Sequence, residues 1–253
     1  MTIMKEDFST PSDPKPMFDQ TIGERIVTRK CIETGKTFEL RQTRYGDVWF
    51  PEIKYCDEVL EAHMEQERLD GQRRRQELRQ KAIEAWTEEN IPPYFQSPLN
   101  RDYEHLDWDS IDRALSWNGE SMALKGATRK GKTRSLYEIA KKNAHLFPYI
   151  ETAERLARLL GTSLSESAGK HGKLMWDLRT AKLLCIDDLG KESVTARTQA
   201  DLFEIVNYRL EQNLPTILTT NYDGKGLSKR YSDSDFGIPL VARISEYKII
   251  QFA

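Results

Sequence analysis

The run Gly126-Ala127-Thr128-Arg129-Lys130-Gly131-Lys132-Thr133 is a complete G-x-x-x-x-G-K-[ST] string. Its residue types suit one chemistry, the cradling of a polyphosphate. Gly126 and Gly131 let the backbone curl so that successive N–H groups point at phosphate oxygens. A helix opening at Lys132 adds the partial positive charge of its N-terminus, reaching through Arg134 in the first turn. The Lys132 ammonium is placed for the β- and γ-phosphates, and the Thr133 hydroxyl for Mg²⁺. Further on, Leu183-Leu184-Cys185-Ile186 runs into Asp187-Asp188. Four apolar residues ending in two carboxylates form the second half of such a site. Asp187 would stand beside Mg²⁺ and act through coordinated water, and Asp188 would polarise the attacking water as a general base. Alone, paired acids after a strand also read as a turn; behind a phosphate loop they read as a hydrolytic site. Cys185 falls inside the strand and is expected to be buried, not nucleophilic.

Asn221 closes the apolar run Thr216-Ile217-Leu218-Thr219-Thr220. In a parallel sheet, ligand-contacting groups gather at the carboxyl ends of strands. There the Asn221 amide could lie between the γ-phosphate and the lytic water. By itself it reads equally as a turn residue before Tyr222-Asp223-Gly224.

These groups need a scaffold that brings strand ends together. From about residue 95 the chain alternates short β-like and helical segments. Strands are expected at 121–125, from 148, at 183–186, 216–220 and 247–252, with helices at 132–143, 153–160 and 198–211. That alternation predicts an α/β fold with a parallel sheet covered by helices on both faces. Upstream, residues 1–20 hold Pro, Ser, Asp and Lys and read as a disordered tail. Residues 21–57 alternate apolar and polar with turns at Gly35 and Gly46, as a small β-rich module does. Residues 58–90 lack Pro and carry dense charge of both signs, which predicts a charged linker helix. Within it, Arg73-Arg74-Arg75 reads more simply as a solvated face than as a DNA contact. Ile91-Pro92-Pro93-Tyr94 ends that helix and opens the main domain, 91–253.

The 253 residues suffice for one nucleotide-binding domain and an appendage. Lys and Arg number 38 against 40 acids, a net charge of −2 that neither demands nor excludes nucleic acid. No segment approaches the roughly 20 apolar residues of a membrane helix, and the N-terminus lacks a signal-peptide core. Three scattered cysteines fit a reducing cytoplasm.

Gly126–Thr133, LLCIDDLG over 183–190 and PTILTTN over 215–221 together resemble the AAA+ core of bacterial and phage replicative helicase loaders (DnaC-like) and of transposition helper ATPases (IstB-like). The resemblance covers about residues 90–252. It implies an ATPase that loads a hexameric replicative helicase onto single-stranded DNA, with phage or prophage origin, and with the transposition helper as its alternative. A nucleotide-switched adaptor with negligible turnover is a third reading. Members form rings or spirals in which an arginine of one subunit reaches the neighbour's γ-phosphate. The matching position here is Arg243, with Arg230 and Arg209 as lesser candidates. The N-terminal region would grip the helicase. Three departures stand out: Arg129-Lys130 where relatives carry small residues, Asp188 in place of the usual glutamate, and no helical lid after the last strand. Loader N-terminal modules often hold zinc on cysteine pairs. Here Cys31, Cys56 and His63 give at most three ligands where a closed site needs four, so a metal-free, degenerate module is expected.

Overall fold

The computed structural model describes residues 21–45, 47–193, 195–231 and 235–253. The expected tail over 1–20 and the turn at Gly46 lie outside them. The chain divides into two units, residues up to Glu77 and Leu78–Ala253.

In the first unit β1 (Thr21–Lys30), β2 (Thr37–Tyr45) and β3 (Val48–Phe50) form an antiparallel sheet in that order. Val27 opposite Leu40 and Arg29 opposite Phe38 set the register, and the two-residue period sends Ile26 to the other face. A small core of Cys31, Cys56 and Val59 takes in Phe38 and Tyr55. His63 pairs with Glu33 at 3.0 Å and packs edge-on against Tyr55. Helix α1 (Asp57–Asn90) contributes its first turns to this unit and its last turns to the second. Its charge all round leaves Val59 as its buried residue.

The second unit opens with α2 (Pro93–Gln96) and α3 (Trp108–Leu115). It continues through β4 (Met122–Gly126), α4 (Lys132–Lys142), β5 (Tyr149–Thr152), α5 (Ala153–Glu166) and α6 (Ala168–Thr180). Then follow β6 (Leu184–Leu189), α7 (Ala196–Glu211), β7 (Thr216–Thr220), α8 (Gly224–Arg230), α9 (Gly237–Ser245) and β8 (Lys248–Phe252). The five strands form one parallel sheet in the order β5-β6-β7-β4-β8. Alternation along each strand divides the core between two faces. Met122, Leu124, Cys185 and Ile217 pack under α3 and α4, while Ala123, Leu184, Ile186 and Leu218 pack under α5, α6, α7 and α9. The expected α/β fold is the observed one. Helices α3 and α6 lie outside the expected helices; α6 has a weak apolar period, whereas α3 places Ile111, Ala114 and Leu115 on one face. Their starts are fixed by caps, Asp107 accepting from the Ser110 N–H and Ser167 from the Lys170 N–H.

Arg209, on α7, is fully buried without a carboxylate partner. Its guanidinium donates to the Leu178, Arg179, Ala181 and Pro215 carbonyls and to the Thr216 hydroxyl, at 2.6–3.1 Å. Burial lowers its pKa to about 10, so it stays a cation at neutral pH. It satisfies carbonyls at the C-terminal end of α6, where the helix dipole favours positive charge, and ties them to the start of β7. A residue so placed cannot reach another subunit, which corrects its candidacy as an arginine supplied in trans. Arg209→Ala would leave those acceptors buried and unpaired. It should cost about 3–5 kcal/mol of stability, measured as a lower urea midpoint. A loss below about 1 kcal/mol would mean that water satisfies the same carbonyls.

Candidate functional site

The phosphate loop joins β4 to α4 through two glycines that nothing else could replace. Gly126 has φ +138°, and a Cβ there would stand 2.0 Å from the Phe252 carbonyl oxygen. Gly131 has φ +105° and would drive a Cβ to 2.7 Å from the Ile111 side chain. Lys132 is buried at the start of α4. Its Nζ donates to the Gly126 and Ala127 carbonyls at 2.8 and 2.6 Å and so cinches the loop. Burial lowers the Lys132 pKa, and the Asp188 and Asp187 carboxylates pull it back up. On the outer side, the Asp107 N–H donates to the Lys130 carbonyl at 3.1 Å, fixing the loop to α3.

The acids arrive on β6. Asp187 is buried, and its Oδ1 accepts from the Thr133 hydroxyl at 2.8 Å and the Thr219 hydroxyl at 2.6 Å. Burial raises its pKa; the two hydroxyls oppose that shift. At Asp188 the strand leaves its register, with φ +59°. Its N–H donates to the Thr219 hydroxyl at 2.8 Å, and its carboxylate meets Lys191 at 2.7 Å. The next turn rests on a buried carboxylate. Glu192 accepts from the Gly190 N–H at 2.8 Å and from the Tyr231 hydroxyl, while Arg230 donates to the Gly190 and Glu192 carbonyls. Cys185 is fully buried, and burial pushes its thiol up to about 12. It is an inert strand residue.

Asn221 follows β7 directly and lines a cleft of about 370 Å³ with Lys125, Gly126, Ala127 and Tyr222. The fold therefore brings the loop, Thr133, Asp187, Asp188 and Asn221 to the carboxyl ends of three neighbouring strands. Three arginines go elsewhere. Arg134 turns from the loop to Glu138 at 2.9 Å and to the Tyr94 and Ser97 carbonyls. Arg243 sits on α9, exposed, paired with Glu246 at 2.9 Å, and lines neither cleft beside the loop. Arg230 is committed to its two carbonyls.

Two features were not drawn from the sequence. Thr219 orients both acids at once, a role that only the adjacency of β6 and β7 reveals, although Thr219-Thr220-Asn221 was its visible trace. Beside α4 lies a cavity of about 210 Å³ lined by Tyr94, Leu99, Tyr103, His105, Leu106 and Arg134. Its aromatic and apolar walls suit a flat ring, and Pro92-Pro93-Tyr94 was the only hint of it.

Asp187→Asn tests the buried carboxylate. An amide oxygen can accept from Thr133 and Thr219 without the charge, so the variant should unfold at higher temperature than the wild type at neutral pH. The sign follows from linkage. With the folded pKa raised, ionisation of Asp187 opposes folding, and this cost develops as pH rises from the ordinary carboxylate range through the folded pKa. The advantage in Tm should vanish in acid, where both states carry the proton. An advantage unchanged across that range would assign it to packing instead.

No protein-family model matches the sequence. Over 213 residues the chain is 28% identical to an ATP-binding protein of an insertion sequence in Mycobacterium tuberculosis, covering 80% of this chain and 79% of that one. The crystal structure of DnaI superposes with a TM-score of 0.52 at 22% identity, over 65% of this chain and 95% of that one. AMPPCP-bound DnaA from Aquifex aeolicus superposes with a TM-score of 0.51 at 19% identity, over 64% of this chain. This chain spans about half (51%) of that DnaA chain. The phosphate loop and the acid-bearing β6 beyond an intervening β7 give the chain a P-loop α/β fold similar to that of DnaI.

Proposed function

We propose that this chain is a Mg²⁺-dependent ATPase that loads a hexameric replicative helicase onto single-stranded DNA. The observation that carries the nucleotide part is the 2.8 Å hydrogen bond from Thr133 to Asp187. It sets a helix-borne hydroxyl and a strand-borne carboxylate side by side at the mouth of an anion-binding loop. Among the described residues no group of three His, Cys, Asp or Glu side chains could hold a metal unaided. That fits Mg²⁺, which keeps waters and shares phosphate oxygens; bound there, it would neutralise phosphate charge. The loop N–H groups and Lys132 hold the phosphates, and the cavity at Tyr94 and Leu106 takes the base. Asn221 orients the attacking water, and Asp188 accepts its proton once Lys191 swings off the carboxylate.

The loader reading is supported by the likeness of the second unit to DnaI, and by a first unit that presents Ile26, Val48 and Phe50 more than half exposed (61, 52 and 52%). In this reading those side chains meet the helicase. The second units assemble as a ring or spiral around single-stranded DNA, in the cytoplasm. No helix among the described residues is long and apolar enough to cross a membrane. The insertion-sequence relative favours a second reading, delivery of a transposase to target DNA. The Lys191–Asp188 pair favours a third, an adaptor that binds ATP with negligible turnover.

Asp188→Asn separates them. Asparagine tolerates the left-handed backbone that position requires, so the variant should fold, hold ATP and stop turning it over. Tagged and recovered from its host, it should carry a replicative helicase in the trapped state, and Lys132→Ala should carry none. A co-purifying transposase would install the second reading. Unchanged turnover in Asp188→Asn would remove Asp188 as the base, and absent turnover in the wild type with DNA and partner would leave the adaptor.

Arg243→Ala should preserve ATP affinity and abolish hydrolysis in the assembly, since an arginine supplied in trans contributes on the order of 10³-fold or more. Mixed with Lys132→Ala subunits it should regain activity, because one interface then pairs an intact site with an intact arginine. If folded, co-assembling mixtures stay inactive at every ratio, Arg243 serves only its Glu246 pair.

A further inference from the structure

The cations around the phosphate loop are not equally free. Lys132 gives two of its three N–H bonds to the loop's own carbonyls. Arg134 is held by Glu138 and two backbone carbonyls, and Lys191 by Asp188. Arg129, at the tip of the loop, is exposed and has no hydrogen bond or ion pair among the described residues. Its backbone is also left-handed, with φ +61°. That conformation disfavours any residue with a Cβ and suits glycine. Four described non-glycine residues adopt positive φ, and two of them, Arg129 and Asp188, lie in this one site. Strain kept where glycine would relieve it points to a side chain with a task.

The loop's curvature says what that task is. A loop of this kind turns its N–H groups inward on bound phosphates, which would put an exposed guanidinium at its tip within reach of the phosphate end of a nucleotide, and Arg129 does not line the cavity at Tyr94. A guanidinium there can fork onto two phosphate oxygens, which an ammonium cannot. A nucleic-acid track needs a row of cations, whereas the loop tip offers Arg129 and its neighbour Lys130. Building on the ATPase reading above, we propose that the Arg129 guanidinium is a ligand of the terminal phosphate of bound ATP, and the group by which this chain distinguishes ATP from ADP. The consequence is a cation supplied by the subunit itself, which would lessen its dependence on an arginine from a neighbour for ATP binding.

The experiment is an equilibrium titration of the full chain with Mg²⁺-AMPPCP and with Mg²⁺-ADP, for wild type, Arg129→Gly, Arg129→Lys and Lys130→Ala. Arg129→Gly should weaken AMPPCP binding by about 10- to 100-fold and ADP binding by less than about 2-fold, since the lost hydrogen bonds are to the γ-phosphate alone. Its Tm without nucleotide should be no lower than wild type, because glycine accepts the backbone. Arg129→Lys should recover part of the discrimination, and Lys130→Ala should shift both nucleotides alike. Equal losses for the two nucleotides, or an unchanged ratio in Arg129→Gly, would overturn the assignment. An unchanged ratio with lost binding to an oligo-dT strand would overturn it too, and move the guanidinium to nucleic acid. Wild type binding neither nucleotide would be visible before any variant is compared; that result defeats the ATPase reading and this inference with it.

Discussion

Asp187 is a buried carboxylate held by two hydroxyls, Thr133 from α4 and Thr219 from β7, and the rest of the site is arranged around that bridge. Burial alone would favour its neutral form. Neither threonine neutralises the charge; each offers a hydrogen bond that an incoming cation can use or displace. The bridge exists only because β7 lies between β4 and β6, so that loop and acid meet across one intervening strand end.

Around the bridge, backbone conformations that cost energy are concentrated and then held from several sides. The left-handed Asp188 is secured through its N–H by Thr219, and the turn after it by Glu192, Tyr231 and Arg230. Glu192 is itself fully buried, so a second carboxylate positions the turn that presents the first. Such over-determination lets strained geometry persist and keeps the acids pre-organised. On the opposite edge of the unit, Arg209 does comparable work for stability: one buried cation collects carbonyls from α6 and from the start of β7. The two buried networks share β7, which carries Thr216 at its start and Thr219 near its end.

The first unit is organised differently. Its core is small, Cys31, Cys56 and Val59 with two aromatic neighbours, and its sheet leaves apolar side chains in solvent. A three-stranded sheet with so little buried area gains stability chiefly by packing against something more.

Much of this was legible from local pattern. The phosphate loop announces itself because an anion nest needs glycine at fixed positions and a helix opening on Lys-Thr. The acid strand is legible because buried strands are short apolar runs, although it runs on through both carboxylates to Leu189. Alternation of such segments gave the parallel α/β fold, and β7 was placed to the residue. What the sequence could not hold was adjacency. Thr219 looks like any strand threonine until β6 lies beside it; Arg209, Arg230 and Arg243 look alike until burial sets Arg209 apart and their partners separate the other two. Helix α6, with Gly169 and Gly172 in its span, has a weak local signal and is fixed by its cap and by the sheet beneath it, while α3 is amphipathic but only 8 residues long. Residue types and spacing settle which chemistry is possible, because they act within a few residues. Charge state, strain and reach depend on contacts between residues far apart in the chain, and only the folded core decides those.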